Sequence, residues 1–244
     1  MMTKTSCLIR IFLRSLLIQS SFNAWRMQNL GVAFSVIPLI KAIGMGAPGA
    51  SGLMRRHLQV FNTHPCLSGA VLGSVVKLEE SAGEGREIEG LKQTLMAPYA
   101  AMGDAFFSGA WRPFTAVAAV ALSMEGVLWA PLIFFLLYNP PAFYVRVKGF
   151  IEGYRRGRRG IEFIGRLDLP GLAGRVRRVS AVLLGLLTVM LAQSAGRDDA
   201  SISSLLTAFL FSGVVLVCFW LMTRGVSVIK ILYGAVALLL LLSV

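Results

Sequence analysis

LMAPYAAMGDAFFSGAWRPFTAVAAVALSMEG (Leu95–Gly126) is apolar enough to enter a bilayer, yet it contains a carboxylate at Asp104, a guanidinium at Arg112 and a second acid at Glu125. A carboxylate at the bilayer centre is costly, so Glu125 with the adjacent Gly126 predicts a turn between two crossings, Ala105–Leu122 and Val127–Val145. This reading decides the fold class, an all-α integral membrane protein with several transmembrane helices. The rest of the chain agrees with it. Of 244 residues, 56% are hydrophobic and only 15% charged, far from the balance of soluble domains.

The formal charge of +12 would also suit a nucleic-acid binder, so its placement has to decide. Ten of the 24 Lys and Arg lie between Arg146 and Arg178, opposed only by Glu152, Glu162 and Asp168. A basic cluster beside apolar segments is the positive-inside signal and attracts anionic lipid. Stacking aromatics are not interleaved with it, so no nucleic-acid partner is expected. Residues 1–244 are read as a single membrane domain: a core over 9–145 with re-entrant segments, a basic cytoplasmic loop over 146–178, and C-terminal transmembrane helices over 179–244. In the last part Ala181–Ala195, Leu205–Met222 and Val226–Val244 alternate across the membrane, with Asp198 and Asp199 outside and Arg224 inside.

The first half is built from shorter pieces. Arg10 and Arg14 stand four apart within the apolar run Ile9–Leu17, which predicts an amphipathic helix lying on the membrane surface. Arg14 interrupts any signal-peptide core, so no cleaved leader is expected. Gly31–Gly46 holds 16 residues, or about 24 Å of helix, which is short for a crossing and suits a re-entrant arm. GAPGASG (Gly46–Gly52) interrupts it, and NTHP (Asn62–Pro65) ends the next helical stretch before the apolar run Leu67–Leu78. Lys77–Lys92 gathers five of the chain's twelve acids and is expected to face water.

Polar groups lie beside helix breakers at four places in this apolar sequence: Gln28 and Asn29, then Asn62, Thr63 and His64, then Asp104, then Arg112. Backbone freed by a broken helix survives in a membrane only when buried in protein or lining a wet cavity. Amides, a hydroxyl, an imidazole and a carboxylate together suit a neutral polyhydroxylated ligand. Each residue also has a plainer reading: Asn29 and Asn62 as helix-terminal groups, His64 as a satisfied buried side chain, and Asp104 with Arg112 as an internal ion pair. Cys7, Cys66 and Cys218 are isolated, and the sequence holds no metal-ligand spacing, phosphate loop or nucleophile motif. Catalytic residues, cofactors and metals are therefore not expected.

FLRSLLIQSSFNAWRMQNLGVAFSVIPLIK (Phe12–Lys41), RRHLQVFNTHPCLSGAVLGSVVKLEE (Arg55–Glu80), EIEGLKQTLMAPYAAMGDAFFSGAWRPF (Glu87–Phe114) and PLIFFLLYN (Pro131–Asn139) follow one another in a familiar order. Together they resemble the IID membrane component of the mannose/fructose/sorbose family of sugar phosphotransferase systems, over residues 12–160 or so. The chain departs from the family pattern at Phe22, where tryptophan is usual, at Trp25, where an acid is common, and at Ala105, where proline follows the Gly-Asp pair. The resemblance implies a multi-pass subunit of the bacterial inner membrane that pairs with a IIC subunit, as a trimer of heterodimers, to pass a hexose-type sugar. Cytoplasmic IIA and IIB proteins would supply the phosphoryl group, and this subunit would carry no phosphorylation site. Gln28, Asn29, Asn62, Thr63, His64 and Asp104 would contribute to the sugar pathway. The alternative is a degenerate IID-like protein with a structural or regulatory role and no transport.

Overall fold

A computed structural model describes residues 3–195, 213–214 and 216–242, and its regular structure is helical. Residues 1–183 form one compact unit and 184–244 a second.

The first helix, α1 (Thr5–Ser15), buries Cys7, Ile11 and Ser15, four residues apart on one stripe, and leaves Ile9, Arg10 and Leu13 exposed. It packs on α2 (Asn29–Ala42), where Arg14 donates to the Phe34 carbonyl at 3.2 Å and lies over the Phe34 ring. At 14 residues α2 is about 21 Å long, too short for a full crossing and in keeping with the expected arm. After a turn at Ile43–Gly46 comes α3 (Ala47–His57), which begins inside the GAPGASG stretch with Pro48 in its first turn, where a missing N–H costs nothing.

The centre of the first unit is α4 (Ser68–Glu80), buried at every position from Ser68 to Val76 and again at Glu79. Its partner is α7 (Ala130–Arg156). Small residues let the two backbones touch: a Cβ added at Gly69 would run into the Arg146 carbonyl, one at Gly73 into the Phe150 carbonyl, and one at Gly153 into the Ala70 carbonyl. The spacings Gly69/Gly73 and Gly149/Gly153 are the small-xxx-small pattern of close helix pairs in membranes. Ser74 tightens the joint by donating to the Ala70 and Gly157 carbonyls, at 3.0 and 2.9 Å.

Between these partners runs one continuous helix, α5 (Gly85–Gly103), a π-helical segment (Asp104–Trp111) and α6 (Arg112–Met124). Its 40 residues make Gly85–Met124 the one helix, among the described residues, that is long and apolar enough to cross a membrane. The breaks expected at Gly103–Asp104 and Arg112–Pro113 are thus replaced by a widened turn. Pro113 has no N–H to give the carbonyl four residues earlier, and that carbonyl, Gly109, instead accepts from Arg177 Nε at 3.3 Å, while Arg177 Nη2 donates to Ala105 at 3.0 Å. The expected turn at Glu125–Gly126 is present, with Gly126 at φ 80°.

The basic stretch 146–178 differs from the expected loop. Helix α7 runs on to Arg156, a 3₁₀ turn covers Gly157–Ile161, α8 covers Glu162–Arg166, and α9 (Leu169–Ala195) starts within the stretch. Glu152 pairs with Lys148 and Arg156 at i±4 spacing, and Arg177 reaches the π segment, so part of the basic charge is spent inside the fold. Within Lys77–Lys92 the middle is exposed as expected, at Ser81, Glu84, Arg86 and Glu87, whereas Glu79 and Lys92 are buried against α3. In the second unit, residues 216–223 are helical, Gly225 turns at φ 80°, and α10 (Val228–Leu242) follows. The acids Asp198 and Asp199 and much of the expected span Leu205–Met222 lie outside the described residues.

Candidate functional site

The loop between α3 and α4, residues 58–67, is held by the mouth of α2. Gln28 donates from Nε2 to the Thr63 carbonyl at 2.7 Å, and its Oε1 accepts from the Thr63 N–H at 3.1 Å. Its own backbone N–H donates to the Phe61 carbonyl at 2.8 Å. Asn29 donates to the Leu58 carbonyl at 2.9 Å and accepts from Asn23 Nδ2, also at 2.9 Å. Asn23 in turn accepts from the Arg26 N–H at 2.8 Å, across a turn in which Met27 adopts φ 57°. The buried amides of Gln28 and Asn29 thus satisfy backbone of this loop that lacks helical partners, and Asn23 braces Asn29.

The loop presents three residues with different standing. The Asn62 side chain is exposed, and only its backbone N–H is engaged, donating to Met96 Sδ at 3.3 Å. Thr63 is buried, with Oγ1 lacking a partner. His64 Nδ1 accepts from the Cys66 N–H at 3.2 Å, which places the ring proton of the neutral tautomer on Nε2. The ring stacks on Phe107, centroids 5.3 Å apart and planes at 16°. Gly103 packs directly on His64, where any Cβ would collide with the imidazole.

Asp104 and Arg112 flank the π segment. Asp104 is exposed and has no hydrogen-bond or ion-pair partner among the described residues, although its charge and that of Arg112 both reach His64 with opposite sign. The ion pair weighed for Asp104 with Arg112 is not formed. Arg112 turns to Tyr138, donating to its hydroxyl at 3.4 Å and lying 5.6 Å from the ring centroid. The structure therefore brings His64, Asp104 and Phe107 together, with Asn62 on the same loop, and sets Gln28, Asn29 and Thr63 behind them.

A second polar cluster was not singled out in the sequence. Glu79, with its side chain 2% exposed, accepts from Arg56 Nε at 3.1 Å and Nη2 at 2.7 Å and meets His57 Nε2 at 3.0 Å. Lys92 donates to the Arg56 carbonyl. Neither α3 nor α4 is long enough to cross a bilayer. Burial lowers the His57 pKa, only partly offset by Glu79, so the ring is neutral at pH 7. Burial would raise the Glu79 carboxyl, but hydrogen bonds from His57 and Arg56 outweigh it and hold the group below the usual range. The sequence signal was present in the basic last turn of α3 and the Glu79–Glu80 pair, but nothing local joined them.

Residues 2–244 match the family model described as PTS system mannose/fructose/sorbose family IID component. The chain is 31% identical to the mannose-specific EIID component of the PTS from Escherichia coli K12, covering 92% of this chain and 87% of the relative. It is 30% identical to the fructose permease IID component of Bacillus subtilis (92% and 90% covered) and 30% identical to the sorbose-specific EIID component of Klebsiella pneumoniae (80% and 77%). Among solved structures, it resembles a chain of the complex of the mannose transporter ManYZ with microcin E492, at TM-score 0.61 and 28% identity, over 96% of this chain and 94% of that one. A chain described as a membrane protein gives TM-score 0.72 at 28% identity, over 97% and 95%.

Proposed function

The chain belongs to the IID components of the mannose/fructose/sorbose phosphotransferase family, and from that membership we propose that it forms, with a IIC membrane subunit, the pathway by which a hexose-type sugar enters the cell. In this reading it is a multi-pass protein of the bacterial inner membrane with residues 146–178 on the cytoplasmic side, assembled as a trimer of IIC–IID heterodimers. IIA and IIB carry the phosphoryl group, and this chain adds no phosphorylation site. Its relatives are named for mannose, fructose and sorbose, so family membership supports a hexose and leaves its identity open.

The observation that carries the proposal is Asp104, an unpaired carboxylate halfway along the 40-residue helix and beside His64. A charge at that depth is costly unless it faces a partner or a wet path. Sugar hydroxyls donate to a carboxylate and accept from an imidazole N–H, so Asp104 and His64 Nε2 offer the two halves of such a contact. Asn62 adds an amide, Arg112 sits at the edge of the same face, and Gln28, Asn29 and Thr63 fix the loop in register. The test co-expresses the chain with its IIC, IIB and IIA partners and compares Asp104→Asn with wild type. Complex yield should hold while uptake falls about tenfold or more, the loss expected for one charge-assisted hydrogen bond of about 1.5–3 kcal/mol. Normal uptake by a fully assembled variant would reject the proposal.

A further inference from the structure

Arg146 stands where the apolar part of α7 gives way to its basic end. Its Nη2 donates to the Ser15 carbonyl on the segment leaving α1, its Nε is buried with no acceptor, and among the described residues no carboxylate pairs with it. A guanidinium keeps its charge at any physiological pH, and a partly buried cation without a counter-ion is expensive. Something outside this chain is expected to answer it.

The cation closes one end of a cavity of about 560 Å³ between the end of α1 and α7, whose walls include Leu16, Cys66, Leu136, Ala142 and Phe143. Two other polar groups of the wall are partly engaged within the chain. Asn139 Nδ2 donates to the Phe135 carbonyl at 2.8 Å, and the Tyr138 hydroxyl accepts from Arg112 at 3.4 Å. From Leu136 to Arg146 the wall follows ten helical residues, about 15 Å, which is half of a hydrocarbon core about 30 Å thick. A groove one leaflet long, apolar along its length and cationic at one end, matches an amphiphile. A sugar would need several convergent hydrogen-bonding groups, whereas this wall is mostly carbon and Arg146 is its one charged group.

We propose that this cavity binds one anionic phospholipid, its phosphate on the Arg146 guanidinium and an acyl chain along Phe143, Ala142 and Leu136. The planar fork of arginine suits phosphate oxygens. Because Arg146 also holds the Ser15 carbonyl, the lipid would bridge the end of α1 to α7.

The test is native mass spectrometry of the full chain in mild detergent, titrated with dioleoyl phosphatidylglycerol, dioleoyl phosphatidylcholine or inorganic phosphate. One phosphatidylglycerol should be retained at least tenfold more strongly than phosphatidylcholine. Arg146→Gln should remove that preference, and Arg175→Gln, at an exposed position on α9, should leave it unchanged. Should Arg146→Gln not fold, Ala142→Trp decides, since it fills the groove, keeps the charge, and should release the lipid. Equal retention of the two lipids, or a preference that survives Ala142→Trp, overturns the proposal. Displacement by millimolar phosphate would make this a free-anion site, and loss of the lipid on addition of the IIC subunit would make it a protein interface; either result also overturns it.

Discussion

The mouth of α2 and the π segment of the long helix both carry polar residues into apolar sequence, and the fold uses them in opposite ways. At the mouth, Gln28 and Asn29 spend their amides on loop 58–63, and Asn23 braces Asn29. At the π segment, among the described residues, Asp104 is left without a partner and Arg112 engages an aromatic hydroxyl and ring. Polar residues in apolar sequence thus fall into two groups, those consumed in satisfying backbone and those kept in reserve. A substitution in the first should register as lost stability, and one in the second as lost activity.

The largest expected effect lies on the consumed side. Gln28→Leu strands the buried N–H and carbonyl of Thr63, each worth about 1–3 kcal/mol when unsatisfied, so folded yield and thermal midpoint should drop sharply in fluorescence-detected size exclusion. A variant as stable as wild type would show that Gln28 was not holding the loop. Acidification probes the consumed groups of α3 and α4 next. With its folded pKa lowered, His57 contributes stability that is present above its unfolded pKa, about 6.5, and lost as pH falls toward the folded value; Glu79 adds a second loss below about 4.3. The melting temperature should therefore fall in two stages, and His57→Asn should flatten the first. If the upper stage persists in His57→Asn, another group titrates there.

Smaller effects separate support from reserve within the π segment itself. Arg177→Gln removes donors from the Gly109 and Ala105 carbonyls and should cost roughly 1 kcal/mol in stability, accompanied by reduced uptake because Asp104 loses its register. Uptake unchanged at reduced stability would uncouple the π segment from transport. Smallest of all is Asn62→Ala. Its side chain is exposed, so stability should stay within about 0.5 kcal/mol, while half-saturation for sugar uptake rises severalfold. A stability loss larger than the uptake change would move Asn62 to the consumed group.

The parts of this fold that were legible in the sequence are those set by neighbours along the chain. The stripe of α1, the short arm α2, the break at Asn62–Pro65 and the turn at Gly126 follow from spacing and from glycine or proline at the point of change. The long helix was not legible as one element. What carries it past Pro113 is a guanidinium 64 residues away, at Arg177, and local signals point to a break. Lys77–Lys92 is legible as a water-facing stretch at Ser81, Glu84, Arg86 and Glu87, but the burial of Glu79 depends on Arg56 and His57, which no local signal joins to it. The site residues were legible as a set, but which of them were free depended on hydrogen bonds to Leu58, Phe61 and Thr63 that composition does not reveal.

The backbone contact of α4 with α7 has a mechanical consequence. With the Cα atoms of Gly73 and Gly153 seated against carbonyls of the opposite helix, the two rods are keyed: sliding either by one residue would bring Leu72 or Ser74, or Glu152 or Tyr154, against main chain. Such a joint resists shear, so α4 and α7 should travel as one rigid lever through any working cycle. Bending is left to the turn ahead of α7, at Gly126, where positive φ marks the chain's change of direction.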